Sequence, residues 1–490
     1  MVNKKPNLIL LTIDALRLDH LSIMGYKKKT SPYLDKLARK GFFFKQAITN
    51  GPWTLPSFSS IFTSIYPFHQ GGYSPLPQNK TTLAEVLNLK GYKTIALHST
   101  PVLSRFYGFD RGFDKFFDNM TNSETLLNNK IINKLYNKIA DFFLNINVFK
   151  RIQYYILILF YNFIVGSVEY YKKAGSLFKK ALRLIEKYKN GKDKKKPLFF
   201  WIHLMDPHDP YLPVEWSIKK INTNKLAQKE IKYIQEHPEY LSILREYEMT
   251  EKIMELYDGE IRYIDSKIRW FFNELKKRNW LKNTLTIITA DHGEEFYERG
   301  QYGHNAQLYD ELLRVPLIFI SDKLKAIKNE QKKDINNIID FRDLSPTILD
   351  LLGLPPEPNF DGKSFKELII SSEEKVDDPI EDGVFSETYH KNGNISFSNT
   401  KEETNRILSY RTTDWKYIIN DADGVEKLYN LHDDPKELND LSTENKKLLR
   451  IFRKKLIDHL KEKEKRKKNL KDIIERKKIL KASKKIKLSI

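Results

Sequence analysis

Five short apolar runs, each closing on a polar side chain, constrain this chain more than any other feature. They are "NLILLTID", "KGYKTIALHS", "KPLFFWIHLMD", "NTLTIITADH" and "RVPLIFIS". Continuous apolar runs of this length suit strands buried on both faces, as in parallel sheets covered by helices. Helical patterns lie between them. "SPYLDKLARKGFFF" reads as a helix and then a strand, with Ser31 as N-cap and Pro32 at the first helical position. "TTLAEVLNLKGYKTIALHS" repeats that order with a glycine stop, and "EIRYIDSKIRWFFNELKKRNWL" reads as an amphipathic helix. The alternation predicts an α/β fold: a doubly wound, mostly parallel sheet with helices on both faces. Ligand sites in such sheets form at the carboxyl ends of the strands. That rule puts Asp14, Ser99, the 206–211 loop and Asp291-His292 on one rim.

After "RDLSPTILDLLGLPPEPNFDGKSF" (342–365) the pattern changes to short strands such as "RILSYRTTDWKYIIN". The expected division is a main α/β domain over 1–375, a small C-terminal α+β subdomain over 376–445 and a basic helical tail over 446–490. The tail carries 20 Lys/Arg against 5 Asp/Glu, +15 of the net +20, so the rest of the chain is nearly balanced. Base-reading motifs are not evident, so the tail reads as a solvated or membrane-facing surface rather than a nucleic-acid interface. Residues 120–195 read as a helical insertion or lid. Its apolar run at 154–165 is 12 residues long, too short to span a bilayer. With the tail it gives an expected peripheral contact with an anionic membrane. The start, "MVNKKPNLILLTIDAL", imitates a signal peptide, but its apolar run stops at Asp14. With no signal peptide or transmembrane helix read, the expected location is cytoplasmic, with membrane association as the alternative. There are no cysteines, which excludes disulfides, thiolate ligands and a cysteine nucleophile.

Five stretches carry chemistry. A carboxylate ending a buried strand, Asp14, is costly unless it is paired or on a metal. Its structural alternatives are a helix cap or an ion pair with Arg17. Asp291 and His292 are adjacent after another strand; a mixed carboxylate and imidazole set suits Zn²⁺ or Mn²⁺ better than Ca²⁺ or Mg²⁺. Glu294 and Glu295, just beyond, have a simple reading as the acidic start of a helix. His208 in "DPHDPY" and His304 in "GQYGHN" lie in loops, placed to hold an anionic ester or to protonate a leaving oxygen. Thr54 opens "TLPSFSSIFTS". It, or Ser57, caps a helix, or Thr54 is a nucleophile activated by a cation.

Taken in order over residues 6–442, these pieces resemble the sulfatase family within the alkaline phosphatase superfamily. The resemblance runs through "PNLILLTIDALRLDHLSIMGY", "GPWTLPSFSSIFTSIYPFHQG", "GFDRGFDKF", "FFWIHLMDPHDPYLP", "ITADHGEEFYERGQYGHNAQLYDELLRVPLIFIS" and "LYNLHDDPKELNDLS". It implies one divalent metal ion held by Asp14, Thr54, Asp291 and His292. It implies Thr54 as nucleophile, and His208 and His304 on the transferred group or the leaving oxygen. Ser99 falls at a substrate-binding position where many sulfatases have lysine. The chain departs from the family pattern in several places. Thr54-Leu55-Pro56-Ser57-Phe58 replaces the Cys- or Ser-x-Pro-x-Arg signature, and threonine cannot become formylglycine. Ala15 stands for a second aspartate and His292 for an asparagine. The Asp/Thr/Asp/His set is similar to that of lipoteichoic acid synthases and phosphoethanolamine transferases. The implied function is metal-dependent hydrolysis of an anionic sulfate or phosphate ester. The alternative is transfer of a phosphoethanolamine- or glycerolphosphate-type group to lipid or glycan at a membrane.

Overall fold

Among the residues that the structure describes, ten strands make up the main domain, eight of them in one sheet. In chain order they are β1 (Asn7–Ile13), β2 (Phe42–Ile48), β3 (Lys93–Leu97), β4 (Lys115–Phe117), β5 (Leu198–Leu204), β6 (Thr284–Ala290), the pair β7 (Glu295–Phe296) and β8 (Tyr302–Gly303), β9 (Arg314–Ile320) and β10 (Asp334–Asp340). The sheet order is β10-β2-β9-β6-β1-β5-β3-β4. The computed structural model describes residues 5–70, 75–118, 171–221, 228–236, 241, 244–245, 248–322, 324, 334–371, 376–391, 394–395 and 405–462. The 154–165 run, most of the 120–195 insertion, and 463–490 lie outside the described residues. Among the described residues no helix is long and apolar enough to cross a membrane.

Register explains the rim. β1 lies between β5 and β6 and is parallel to both. Ile13 is level with Leu204 on one side and Ala290 on the other. The three strands therefore end together, and Asp14 and Asp291 follow as neighbours. Asp14 N donates to Leu204 O at 2.8 Å, fixing the turn. β5 and β6 are buried at every position, His203 and the three β6 threonines included. β9 is antiparallel to both its neighbours. An apolar run reports burial and not direction, so this reversal leaves no mark in "RVPLIFIS".

Helices cover both faces. α1 (Pro32–Lys40), α2 (Thr54–Thr63), α3 (Leu83–Leu89), α4 (Ala174–Lys189), α5 (Thr250–Lys277) and α6 (Leu344–Leu351) form two groups. α1, α4 and α5 pack together, with Phe178 stacked on Phe271 at 4.3 Å. α2, α3 and α6 form the other group; Phe58 and Phe62 of α2 meet Trp201 of β5 at 5.2 and 4.7 Å. α3 carries the expected cap, a reciprocal capping box between Thr82 and Glu85, and Gly91 follows it with φ +88°. α1 does not follow the expectation in full. Pro32 is at its start, but the Ser31 hydroxyl donates to Asp35 Oδ1 at 2.7 Å. The cap is supplied from α5, where Asp265 Oδ1 accepts from Tyr33 N and Leu34 N at 2.8 Å each.

The C-terminal sheet is antiparallel, with β11 (Gly383–Lys391), β12 (Asn394–Ile395), β13 (Asn405–Thr412), β14 (Trp415–Asn420) and β15 (Glu426–Asn430) in the order β12-β11-β13-β14-β15. Residues 446–462 are helical. Leu448, Leu449, Phe452 and Leu456 from this helix join Leu408, Tyr410, Tyr417 and Leu428 in one apolar cluster. The helix that begins the basic tail is thus docked over this span, its apolar stripe turned to the sheet. Buried ions tie the two units: Asp310 pairs with Arg411 and Lys416, and Lys416 also with Glu437.

Candidate active site

The strand ends and the start of α2 meet at one point. Asp14 and Asp291 are fully buried, and so is His292. One ligand atom from each lies within 4.8 Å of the other two. The His292 ring donates from Nδ1 to Gly293 O at 2.7 Å. That bond fixes the tautomer and leaves Nε2 facing Asp14 Oδ1 at 3.4 Å and Asp291 Oδ2 at 3.7 Å. Those two carboxylate oxygens have no hydrogen-bond partner among the described residues. Two orphaned buried oxygens beside an imidazole nitrogen form a donor set for a divalent cation, and the residues present fit one.

Electrostatics agree with the geometry. Burial works against charge on Asp14, yet His208, His203 and His292 hold its carboxyl well below the usual range. Burial and then the Asp14 charge push Asp291 up. Burial disfavours the His292 cation, but Asp291 and Asp14 hold it up at about 10. Without a cation, the cluster keeps its charge balance by protonating its imidazole.

Thr54 sits at the first position of α2, with Trp53 in the N-cap position. Its hydroxyl is 3.5 Å from Asp14 Oδ2 and 3.3 Å from His292 Nε2. The capping readings fail: Thr54 turns to Asp14 and His292, and Ser57 donates to Gly51 O at 3.0 Å. Asp14 departs from its structural alternatives as well. Arg17 pairs instead with Asp19 and Glu298, and the residue after Asp14, Ala15, has φ +52°.

Thr54 opens onto a cavity of about 540 Å³, lined also by His208, His304, Arg245, Trp53, Tyr171 and Tyr302 among others. The His208 and His304 rings are 5.0 Å apart, and His304 is 4.5 Å from His292. His208 donates from Nδ1 to Asp209 O at 2.6 Å. Burial opposes its protonation, but Asp14 and Glu294 raise its pKa. His304 is anchored through Nδ1 to Glu294 Oε1 at 3.0 Å. Each ring thus keeps Nε2 for a ligand.

Of the residues expected to bind substrate, His208 and His304 line the cavity and Ser99 does not. Its hydroxyl accepts from Lys172 N at 3.2 Å, and Thr100 lines the cavity instead. Sequence reading missed three other residues. His203, fully buried on β5, places Nε2 3.1 Å from Asp14 Oδ2 and Nδ1 3.0 Å from Thr12 Oγ1. Arg245 brings a cation to the cavity wall and is paired with Asp209. Glu294 does not begin a helix, because the chain enters β7. Its Oε1 meets His304 and its Oε2 accepts from Tyr211 Oη at 2.9 Å. Glu295 accepts from Arg299 N and Gln301 N. The Glu294→Gln enzyme, which weakens the anchor of His304, is expected to lose roughly 10–100-fold in kcat/KM, part of the 10²–10⁴ that acid–base groups supply. Steady-state kinetics on protein of unchanged thermal midpoint check this.

The sulfatase family model matches residues 6–354. The model for the C-terminal region of N-sulphoglucosamine sulphohydrolase matches 298–468. The arylsulfatase of Clostridium perfringens is 25% identical over 499 residues, covering 93% of this chain and 94% of that protein. A sulfatase of Formosa agariphila is 23% identical over 454 residues, 88% of this chain and 82% of its own. A solved structure in complex with its substrate D-glucosamine-2-N,6-O-disulfate superposes with TM-score 0.65 at 19% identity, covering 95% of this chain and 99% of that one. The phosphonate monoester hydrolase of Agrobacterium radiobacter gives 0.64 at 16% identity, over 94% and 96% of the two chains.

Proposed function

The chain belongs to the sulfatase family of sulfuric ester hydrolases, and from that premise we propose that it cleaves a sulfate or phosphate ester of a sugar or aryl alcohol through Thr54. The observation that carries this reading is the Thr54 hydroxyl, set 3.3–3.5 Å from His292 and Asp14 on a cavity wall. Asp14, Asp291 and His292, with the Thr54 oxygen, would hold Mn²⁺ or Zn²⁺ in preference to Ca²⁺ or Mg²⁺. Such an ion supplies positive charge that lowers the pKa of a bound hydroxyl and neutralises ester oxygens.

The chain's own groups do the rest. Thr54 Oγ1 passes its proton toward Asp14 Oδ2, to which it donates, and bonds to the sulfur or phosphorus as the bond to the leaving oxygen breaks. The amides at the start of α2 favour the anion. His208 and His304 meet the non-bridging oxygens, and one gives its Nε2 proton to the leaving oxygen. Water then cleaves the Thr54 ester. Tyr171, Tyr302 and Trp53 offer flat faces to a sugar or aryl ring, and Arg245 offers a charge to a second anionic substituent. A phospho-headgroup transferase is the second reading, favoured by threonine at position 54 and histidine at 292.

The test compares p-nitrophenyl sulfate, p-nitrophenyl phosphate and bis-p-nitrophenyl phosphate on Mn²⁺- or Zn²⁺-loaded protein. Monoester turnover is the expected result. Turnover of the diester alone would replace the hydrolase reading with the transferase one. No turnover of any of the three, with the metal bound, would overturn the assignment.

A further inference from the structure

A second convergence of metal-ligating side chains lies apart from Thr54 and shares no residue with its site. His69 is in the short helix Pro67–Gln70 after α2, Glu387 is on β11, and His459 is on the helix over 446–462. A ligand atom of each lies within 4.8 Å of the other two. His459 Nε2 is 2.5 Å from Glu387 Oε1. Glu387 Oε2 accepts from Phe68 N at 2.7 Å. The His69 and His459 rings stack at 4.7 Å, and Phe385 and Tyr66 pack on His459 at 4.1 and 4.7 Å. Glu387 is fully buried, His459 is 5% exposed, and His69 is partly exposed.

We propose that His69, Glu387 and His459 form a structural site for a Zn²⁺-type divalent ion that clamps the C-terminal sheet and helix to the main domain. Two imidazoles and one carboxylate are a donor set that four-coordinate Zn²⁺ takes, with water in the fourth position. A single carboxylate is too poor in oxygen for Ca²⁺ or Mg²⁺. The Phe68 amide holds the second Glu387 oxygen and so aims the first at the histidines, the outer-shell support that metal carboxylates have. In the metal-free chain His459 Nε2 and Glu387 Oε1 are joined by a hydrogen bond. The ion takes the place of the proton in that hydrogen bond, which moves to Nδ1 of the same ring, or to solvent where both ring nitrogens carry one. Its bonds join three segments far apart in sequence, so occupancy stabilises the docked C-terminal unit by mass action.

The test uses the full chain, stripped with chelator and titrated with Zn²⁺, with Co²⁺ as a spectroscopic probe. Bound metal is counted by mass spectrometry and the thermal midpoint is followed. His69→Gln and His459→Gln are each expected to remove one equivalent of bound Zn²⁺ and the part of the thermal shift that goes with it. Affinity at this site should fall by more than the roughly 10–100-fold that loss of an outer-shell partner costs. The amide introduced by His459→Gln can still donate to Glu387, so the apo variant keeps the contact. In an Asp14→Asn/Asp291→Asn background, one equivalent and a tetrahedral Co²⁺ spectrum are expected to persist. Unchanged stoichiometry and affinity in both glutamine variants would overturn the proposal. Because the readout is binding and stability, failure of the Thr54 mechanism leaves it standing, and the reverse.

Discussion

Replacing Thr54 with alanine is expected to lower kcat by on the order of 10⁴-fold or more, the scale seen when a nucleophile is removed from a covalent mechanism. The fold should not change. Thr54 does not cap α2, its hydroxyl makes two long contacts among the described residues, of 3.3 and 3.5 Å, and alanine is the better helix former. Thermal midpoints of wild type and variant should therefore agree closely. Thr54→Ser keeps the oxygen in place and should retain activity within about tenfold, since it alters packing and not chemistry. The decisive measurement is a single turnover with p-nitrophenyl sulfate or phosphate, followed by intact mass. A transient ester on wild type that is absent from Thr54→Ala is the expected result. An alanine variant that turns over at the wild-type rate would return Thr54 to a packing role.

The rim of the sheet was legible because burial and polarity are written locally. "NLILLTID" and "NTLTIITADH" each announce a buried strand that ends in a carboxylate, and parallel pairing then sets the two ends side by side. What the sequence hides is long-range and orientational. The α1 cap comes from Asp265, 231 residues away from Leu34, while Ser31 satisfies every local rule for the same task. His203 looks like any strand residue in "LFFWIHL"; only β1–β5 register, with Thr12 opposite it, turns it onto Asp14. Glu294 follows a strand and precedes another acid, which imitates a helix start, and its contact with His304 exists only because β7 and β8 fold back on each other. Ser99 shows the converse. Its place near a strand end is as expected, but the Lys172 backbone takes its hydroxyl, and such a contact leaves no local signature.

The second large effect expected is a reversal of stability order in Asp291→Asn. The asparagine side chain can keep both bonds that Asp291 Oδ1 accepts, from Ala15 N at 3.3 Å and His292 N at 3.0 Å. The change falls on Oδ2, which has no hydrogen-bond partner among the described residues and belongs to a carboxyl that burial and Asp14 push up. An amide there removes one of two like charges, and the His292 ring, left with a single acid to balance, keeps its pairing with Asp14. The metal-free variant should therefore unfold at a higher temperature than metal-free wild type. Activity should move the other way, falling by roughly 10²–10³-fold or more, the cost of losing one preorganised charge-stabilising group. Added Mn²⁺ should then raise the wild type more, by about 2.7 kcal/mol at a concentration 100 times its dissociation constant, and the variant less. Melting both proteins with chelator and with metal, each in the His459→Gln background so that the second proposed site stays silent, reads all of this in one series. The site would then be one in which two buried acids are tolerated at the expense of apo stability, because together they hold a cation. A variant less stable than wild type in chelator, with equal gains from metal, would mean that Asp291 is a structural acid and that no cation binds between it and Asp14.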